Sequence, residues 1–172
     1  NSFFATGAGG TIISSTNGVS WTSKTSNYPY NIYDMAYGNG IYLFVTFDGV
    51  IKTSSNGTNW TSQGQPARNT MMNSVAYGNG TFVVVGNSGL ILTTTNGNSP
   101  YNIQYHSTQD TIMKVTFGNG IFVAGTMNGR IFTSSDGTTW ITRTSGTTEA
   151  LNGITFIDTT APTLSQVTNV ST

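Results

Sequence analysis

Residues 115–140 read VTFGNGIFVAGTMNGRIFTSSDGTTW, and the chain contains four approximate copies of this stretch. The tripeptide Gly-Asn-Gly occurs at residues 38–40, 78–80 and 118–120, so these copies are spaced 40 residues apart. A second glycine, Gly129 in the quoted copy, and an Asx-Gly pair recur at nearly the same spacing. A regular period near 40 residues is typical of proteins built from stacked repeats.

Each copy predicts four short β-strands, which we label a to d in chain order. β-Branched and aromatic residues fill these runs, and Gly-Asn-Gly, Asn-Gly or Asp-Gly separates them, as in tight hairpins whose turns need positive φ. Strand b is apolar at successive positions, as at residues 83–85, which indicates that both of its faces are buried. Strand d is rich in Thr and Ser, which is typical of an outer edge. The repeat therefore predicts an all-β fold, a β-propeller or a propeller segment with four antiparallel, four-stranded blades of about 40 residues each.

The order of the strands at the two ends bears on ring closure. The chain begins with strands b, c and d of one copy, and residues 151–157 supply a final strand a. That last strand could complete the first sheet and close a four-blade ring within one chain. A larger ring, or one in which two chains complete each other's blades, is the alternative that the sequence leaves open.

The composition excludes several classes of function. Only 7% of the 172 residues are charged and the formal net charge is zero, so the chain offers no basic surface for nucleic acid or for an anionic membrane. It contains no Cys, and its longest apolar run, residues 41–47, is too short to span a bilayer. His106 is the only His, which predicts neither a metal site nor a general base, and we expect no cofactor.

The third turn of the quoted copy, SSDGTTW at residues 134–140, resembles the Asp-box of sialidase-type β-propellers, the BNR repeats, in a form one residue shorter. The other copies carry Asn in place of Asp, and one lacks the Trp. The resemblance covers residues 1–158 and implies that the box is structural and lies away from the active face. In physical terms, the Asx side chain bonds amides of its own turn, Gly supplies positive φ and Trp packs between sheets. The residues expected in this role include Trp21, Asn56, Trp60, Asp136, Gly137 and Trp140.

The C-terminal residues predict a longer protein. We assign residues 1–158 to the four-repeat domain and residues 159–172 to a linker, because DTTAPTLS at residues 158–165 resembles the entry into bacterial immunoglobulin-like or fibronectin-like domains. Pro162 would end the sheet there. The expected context is an extracellular surface protein of a bacterium or phage.

Binding is expected at one end of the sheets. In an antiparallel meander the b–c turns and d–a connections share one end, here called the upper face, while the a–b turns and Asp-box-like turns share the lower face. Loops on a rigid scaffold are the default position for a binding site. The candidate ligand-binding residues on the upper face are Asp48, Arg68, Asn87, Asn128, Arg130 and Arg143. The tyrosines that could stack on sugar rings are Tyr28, Tyr30, Tyr101 and Tyr105.

These features favour a non-enzymatic binding or adhesion module whose partner is a glycan or another surface protein. A structural repeat that assembles or spaces a surface protein or fibre is the alternative, and self-association through shared blades would serve that role. A sialidase-type glycoside hydrolase is the second alternative, since such enzymes use an arginine triad, a Tyr-Glu pair and an Asp. The chain has three Arg, but its one Glu, Glu149, has no Tyr close to it in sequence, so we predict no enzymatic activity.

Overall fold

The computed structural model describes residues 2–159, which form four antiparallel sheets, here called blades 1 to 4. Blade 1 contains β1 (Phe3–Thr6), β2 (Ile12–Ser15) and β3 (Thr22–Lys24). Blade 2 contains β4 (Ile32–Gly38), β5 (Ile41–Thr46), β6 (Ile51–Ser54) and β7 (Thr61–Ser62). Blade 3 contains β8 (Met72–Gly78), β9 (Thr81–Gly86), β10 (Leu90–Thr94) and β11 (Asn102–Tyr105). Blade 4 contains β12 (Ile112–Gly118), β13 (Ile121–Thr126), β14 (Ile131–Ser134) and β15 (Ile141–Arg143).

The strands of each blade pair in chain order, and tight turns explain why. Gly38 pairs with Ile41 across a two-residue loop in which Asn39 and Gly40 both have positive φ, 50° and 76°. A loop with positive φ at both central residues matches the right-handed twist of the flanking strands, which is why Asn-Gly is favoured there. Blades 3 and 4 repeat this loop, so the Gly-Asn-Gly sequence fixes the a–b turn.

Three apolar clusters hold neighbouring blades together. The cluster between blades 2 and 3 joins Leu43 and Val45 to Phe82 and Val84, all without exposed surface. Clusters of the same kind lie between blades 3 and 4 and between blades 1 and 2. Residues 83–85 are fully buried, which confirms that strand b is covered on both faces.

Stacked antiparallel sheets that bury both faces of their second strand make this an all-β fold of the β-propeller type, as the repeat predicts. The inner strands β4, β8 and β12 lie beside one another in the stack. Each has a shift of register near its start, between Ile32 and Asp34 in β4, and such bulges bend a strand and redirect its side chains. The outer edges are formed by β7, β11 and β15.

The end of the domain differs from the prediction of a final strand. Within residues 2–159, residues 151–157 pair with no strand, and β1 pairs only with β2, so blade 1 has three strands and no strand pairing closes the ring. The segment lies against blade 4 instead, where Leu151 N donates to Thr126 O at 3.0 Å. It has the contacts of an inner strand but lacks a ladder partner, and a strand exists only with such a partner. The predicted linker lies outside the described residues except for residue 159.

Candidate functional site

The turns of the lower face satisfy their own hydrogen bonds. In blade 4, Ser134 Oγ accepts from the amides of Asp136 and Gly137 at 3.3 and 2.8 Å. Asp136 Oδ1 accepts from the amides of Thr139 and Thr138 at 2.7 and 2.8 Å, and these two bonds hold the pKa of the Asp136 carboxyl well below its usual range. The polar groups of the turn are therefore engaged within the turn itself, where Gly137 has a φ of 77°.

Asn serves this turn as well as Asp does. Asn56 Oδ1 accepts from the amides of Thr58 and Asn59, each at 2.9 Å, and Asn17 Oδ1 repeats the pattern in blade 1. The turn requires an acceptor oxygen at this position and does not require a charge.

The aromatic residue that closes the turn is not always Trp. Trp21 and Trp140 donate their indole N–H groups to the carbonyl oxygen of the turn glycine, at 3.2 and 2.9 Å. Blade 3 has Pro100 at the Trp position, and there the Tyr101 hydroxyl donates to Gly97 O at 3.0 Å. Burial raises the pKa of Tyr101 to about 12. The Trp missing from the third repeat is thus replaced one residue later by a residue predicted as a sugar-stacking candidate.

On the upper face, backbone hydrogen bonds tie each b–c turn to the connection that enters the inner strand. The amides of Phe47, Asn87 and Met127 each donate to the carbonyl oxygen of the residue just before the inner strand of the same blade, at 3.4, 3.0 and 2.9 Å. These three equivalent bonds give the upper loops a fixed position relative to the sheets.

Asp48, a predicted ligand residue, holds the first d–a connection in place. It accepts hydrogen bonds from the Tyr28 hydroxyl and from Thr46 Oγ1, the latter at 2.7 Å. Burial acts to raise the pKa of the Asp48 carboxyl, but these hydrogen bonds outweigh it and hold the pKa below its usual value. Burial and the bond to Asp48 raise the pKa of the Tyr28 hydroxyl.

Asn128 and Arg130, two further candidates, converge on one buried carboxylate. Asp110 is 8% exposed and accepts from Asn128 Nδ2 at 2.9 Å and from the Arg130 guanidinium, with which it forms an ion pair. Burial opposes ionisation of Asp110, yet Arg130 and Asn128 hold its pKa below the usual value. The Arg130 side chain remains 47% exposed, so part of the guanidinium faces solvent.

The structure distributes the six candidates over two clefts and one exposed loop. Asp48 and Asn87 line a cleft of about 310 Å³ between the upper loops of blades 2 and 3. Asn128, Arg130 and Arg143 line a more open cleft of about 670 Å³ along the upper edge of blade 4. Arg68 is exposed and lines neither cleft.

A polar cluster that the sequence analysis missed joins the inner strands of three blades. Asp34 Oδ2 accepts from Ser74 Oγ at 2.6 Å, from the amide of Val75 at 3.1 Å and from Lys114 Nζ at 2.8 Å. Asp34, Ser74 and Lys114 are spaced 40 residues apart. An alignment of the repeats therefore contains the signal, which becomes visible when one repeat position is compared across blades for complementary groups.

The upper face also exposes four large apolar side chains, here called the apolar patch, which the sequence analysis did not single out as a set. Tyr30, Tyr33, Phe47 and Met127 are 58%, 40%, 51% and 51% exposed. The rings of Tyr33 and Phe47 meet edge to face at 6.4 Å between centroids. Phe47 and Met127 occupy the same position of the b–c turn in blades 2 and 4. Tyr33 and Phe47 are in contact, and contiguous exposed apolar surface is typical of interaction sites.

The groups considered for catalysis are separated or engaged. Arg130 and Arg143 share a cleft that Arg68 does not line. The His106 ring stacks on Phe132 at 3.9 Å between centroids, and burial lowers its pKa. Residues 2–159 contain no group of three or more side chains suited to a metal ion. In the same part of the chain, no helix has the length and apolar character needed to cross a membrane.

Comparison with known proteins agrees with the fold. No protein-family model and no curated protein matches the sequence. Among solved β-propeller structures, YCF48 bound to a D1 peptide is 16% identical with a TM-score of 0.67, over 87% of this chain and 52% of that one. Virginiamycin B lyase from Staphylococcus aureus is 12% identical with a TM-score of 0.64, over 81% of this chain and 54% of that one. A chain of a nidogen/laminin complex is 12% identical with a TM-score of 0.64, over 82% of this chain and 60% of that one. The chain thus spans about half the length of these proteins, and identities this low show the fold alone.

Proposed function

We propose that this chain is a non-enzymatic, extracellular binding module whose upper face binds an apolar side chain of a protein partner. The observation that carries the proposal is the apolar patch, in which Tyr30, Tyr33, Phe47 and Met127 are each at least 40% exposed on a face otherwise built from polar loops. Aromatic residues and Met are enriched at the centres of protein interfaces, whereas Asp and Lys are depleted there.

The support beneath the apolar patch favours recognition by a prearranged surface. The amide of Phe47 donates to Asn31 O in the d–a connection, and the next residue, Asp48, accepts hydrogen bonds from Tyr28 and Thr46. Loops held in this way lose little conformational entropy when a partner binds, and that saving strengthens affinity.

Two of the similar structures supply an analogy for the partner. One is a propeller bound to a peptide, and another is part of a complex between two proteins. We extend this to the present chain as part of the proposal, with an extended or loop segment of a protein as the bound element.

The extracellular and Asp-box parts of the proposal depend on the sequence and on the lower-face turns. The hydrogen bonds of the Ser134–Asp136 turn fit the structural role that the Asp-box resemblance implies, and Asn17 and Asn56 fit it as well. A sequence that has few charges and is rich in Ser, Thr, Asn and Gly supports display outside the cell, in a bacterial or phage surface protein.

The test is selection of peptides from a displayed random library on the immobilised 172-residue protein. We expect selected peptides to share an apolar anchor and to lose at least tenfold in affinity for Phe47→Ser and Met127→Ser, since each substitution removes buried apolar contact worth more than about 1.4 kcal/mol. Val19→Ser is the matched control, because Val19 is an apolar residue 82% exposed in a lower-face turn. Peptides that bind all three variants equally would overturn the proposal.

Carbohydrate is the second candidate ligand. The exposed Tyr33 ring meets Phe47, which lines a cleft together with the amide side chains of Asn69 and Asn87, and this combination of stacking surface and hydrogen-bonding groups suits a sugar. A glycan array probed with the wild-type protein and with Tyr33→Ser decides this candidate. A glycan signal that Tyr33→Ser abolishes supports it, and an array without signal rejects it.

A further inference from the structure

The junctions between blades 2 and 3 and between blades 3 and 4 are built from the same two aromatic contacts. The first places the aromatic residue near the end of one inner strand on a glycine of the preceding inner strand. A Cβ added to Gly38 would lie 2.1 Å from the Tyr77 ring, and one added to Gly78 would lie 2.2 Å from the Phe117 ring. Glycine is therefore required at this position of both junctions.

The second contact pairs that aromatic residue with one on strand b of its own blade. The ring centroids of Tyr37 and Tyr42 are 4.5 Å apart, and those of the equivalent pairs in blades 3 and 4 are each 4.7 Å apart, with interplanar angles of 47° to 57°. This pair lies at the junction with the preceding blade, and its strand b member is fully buried in blades 3 and 4, as Phe82 and Phe122.

Among residues 2–159, no neighbour covers the same junction surface on blade 1. Phe3 is the repeat equivalent of Phe122 but is 59% exposed, and Trp21 is 43% exposed. A Cβ on Gly18 would meet only Phe3 within 4 Å, whereas the equivalent Gly137 lies against Val83 of the preceding blade. The outer face of blade 1 is thus an open half of a junction.

The other half of the junction is at the far end of the stack. A Cβ on Gly118 would lie 2.1 Å from Phe156, so the 151–157 segment packs on blade 4 as each inner strand packs on the blade before it. Ile154 and Leu151 cover Gly125 in the same way. Phe156 is 49% exposed, because no strand b lies beside it in residues 2–159.

We infer that two copies of the 172-residue polypeptide associate head to tail, with residues 151–157 of one copy forming an inner strand beside β1 of the other. The register follows from blade 4, where Phe117 pairs with Phe122 and Val115 with Ala124. Transferred to the new junction, Phe156 pairs with Phe3 and Ile154 with Ala5. This register restores the fourth aromatic pair and gives both segments their ladder hydrogen bonds.

The occupant is a second copy and not an unrelated strand, because both halves of the junction are present on this chain and match by repeat register. The contact is heterologous, so it closes into a ring if the rotation permits and otherwise propagates.

One residue makes the junction between copies weaker than the internal ones. Ile157 occupies the position of Gly38, Gly78 and Gly118, where an added Cβ meets an aromatic ring of the next blade. In the associated pair that ring is Tyr37, which is 58% exposed here. Replacing Ile157 by Gly should therefore strengthen association, a gain that a misfolded variant cannot imitate.

The first experiment is sedimentation velocity of the 172-residue chain over a range of concentrations. We expect a mass above the 18.2 kDa of one chain that rises with concentration. Phe3→Asp should weaken association by about 100-fold or more, because it places a charge in an apolar junction, and Ile157→Gly should strengthen it by about tenfold. Ser88→Asp is the control, since Ser88 is exposed in the b–c turn of blade 3, away from blade 1 and from residues 151–157. A monomer at all concentrations overturns the inference.

The second experiment locates the contact. The chain has no Cys, so Phe3→Cys and Phe156→Cys each introduce a single thiol. Residues directly opposite each other in a ladder have Cβ atoms about 4.5–5.5 Å apart, close enough for a disulfide after small adjustments. Mixed and oxidised, the two variants should form a covalent heterodimer linked through residues 3 and 156. If the heterodimer does not form while the double variant forms a bond within one chain, the chain closes on itself and the inference is wrong. Neither experiment uses the apolar patch, so its failure is distinct from failure of the proposed function.

Discussion

Trp60 holds the same repeat position as Trp21 and Trp140 and is the most deeply buried of the three, but its indole N–H has no hydrogen-bond partner within residues 2–159. It is 8% exposed and packs on Phe44 at 4.6 Å between centroids, whereas Trp21 is 43% exposed. Trp60→Ala should lower the free energy of unfolding by about 3–5 kcal/mol because it leaves a cavity between blades 1 and 2. Trp21→Ala, measured by chemical denaturation of dilute protein, should cost about 1 kcal/mol or less. Equal losses would mean that the turn, and not burial between blades, sets the cost.

Asp110 gives the fold a defined dependence on pH. Its pKa is held below the unfolded value of about 3.9, so between the two values the unfolded chain binds more protons and stability rises with pH. The contribution is fully present above the unfolded pKa and is lost as pH falls through the folded pKa. Asp110→Asn should therefore lower the melting temperature at pH 7 and leave a smaller difference from wild type at pH 2. A difference that stays constant between pH 7 and pH 2 would contradict this account.

The inner strand is the element in which the close packing of the blades tolerates substitution least. At Gly78 an added Cβ would lie 2.2 Å from the Phe117 ring, although the backbone there does not need positive φ. Gly78→Ala should therefore destabilise the protein by about 1–3 kcal/mol through overpacking alone. Gly153→Ala is the control, since nothing lies within 4 Å of its added Cβ, and it should change stability by about 0.5 kcal/mol or less. Similar melting temperatures for the two variants would show that the ring moves aside freely.

Elements with a local signal could be predicted from the sequence, and those defined by a distant partner could not. The a–b turns follow from Asn-Gly, and the buried strand b follows from its apolar run at residues 83–85. The 151–157 segment has the sequence of an inner strand, but its secondary structure depends on a second strand beside it. Tyr101 replaces the missing Trp from one residue later, a substitution that only the packing reveals.

At the scale of the whole molecule, the predicted ligand residues show that a sequence does not reveal which loop side chains are already hydrogen-bonded. Variable polar residues on the upper face were expected to be free for binding, yet Asp48, Asn128 and Arg130 are engaged in fixing the loops. A sequence shows which residue types reach a face, but it does not show whether neighbouring loops supply hydrogen-bond or ion-pair partners for them. The apolar patch was missed for the complementary reason, because an apolar residue in a loop looks like core until burial is known.

The inner polar cluster is the contact that links blades that are not neighbours, since Lys114 of blade 4 reaches Asp34 of blade 2 across Ser74 of blade 3. A double-mutant cycle with Asp34→Asn and Lys114→Met should give a coupling energy of about 1 kcal/mol, because the pair is partly shielded from solvent. Each single variant should speed amide hydrogen exchange in both β4 and β12, because both strands lose the ion pair that joins them. Ser74 has no exposed surface and keeps its bond to Asp34 in Lys114→Met, so that variant should still fold. Additive single effects, or exchange that changes in only one of the two strands, would mean that the blades are held by their neighbours alone.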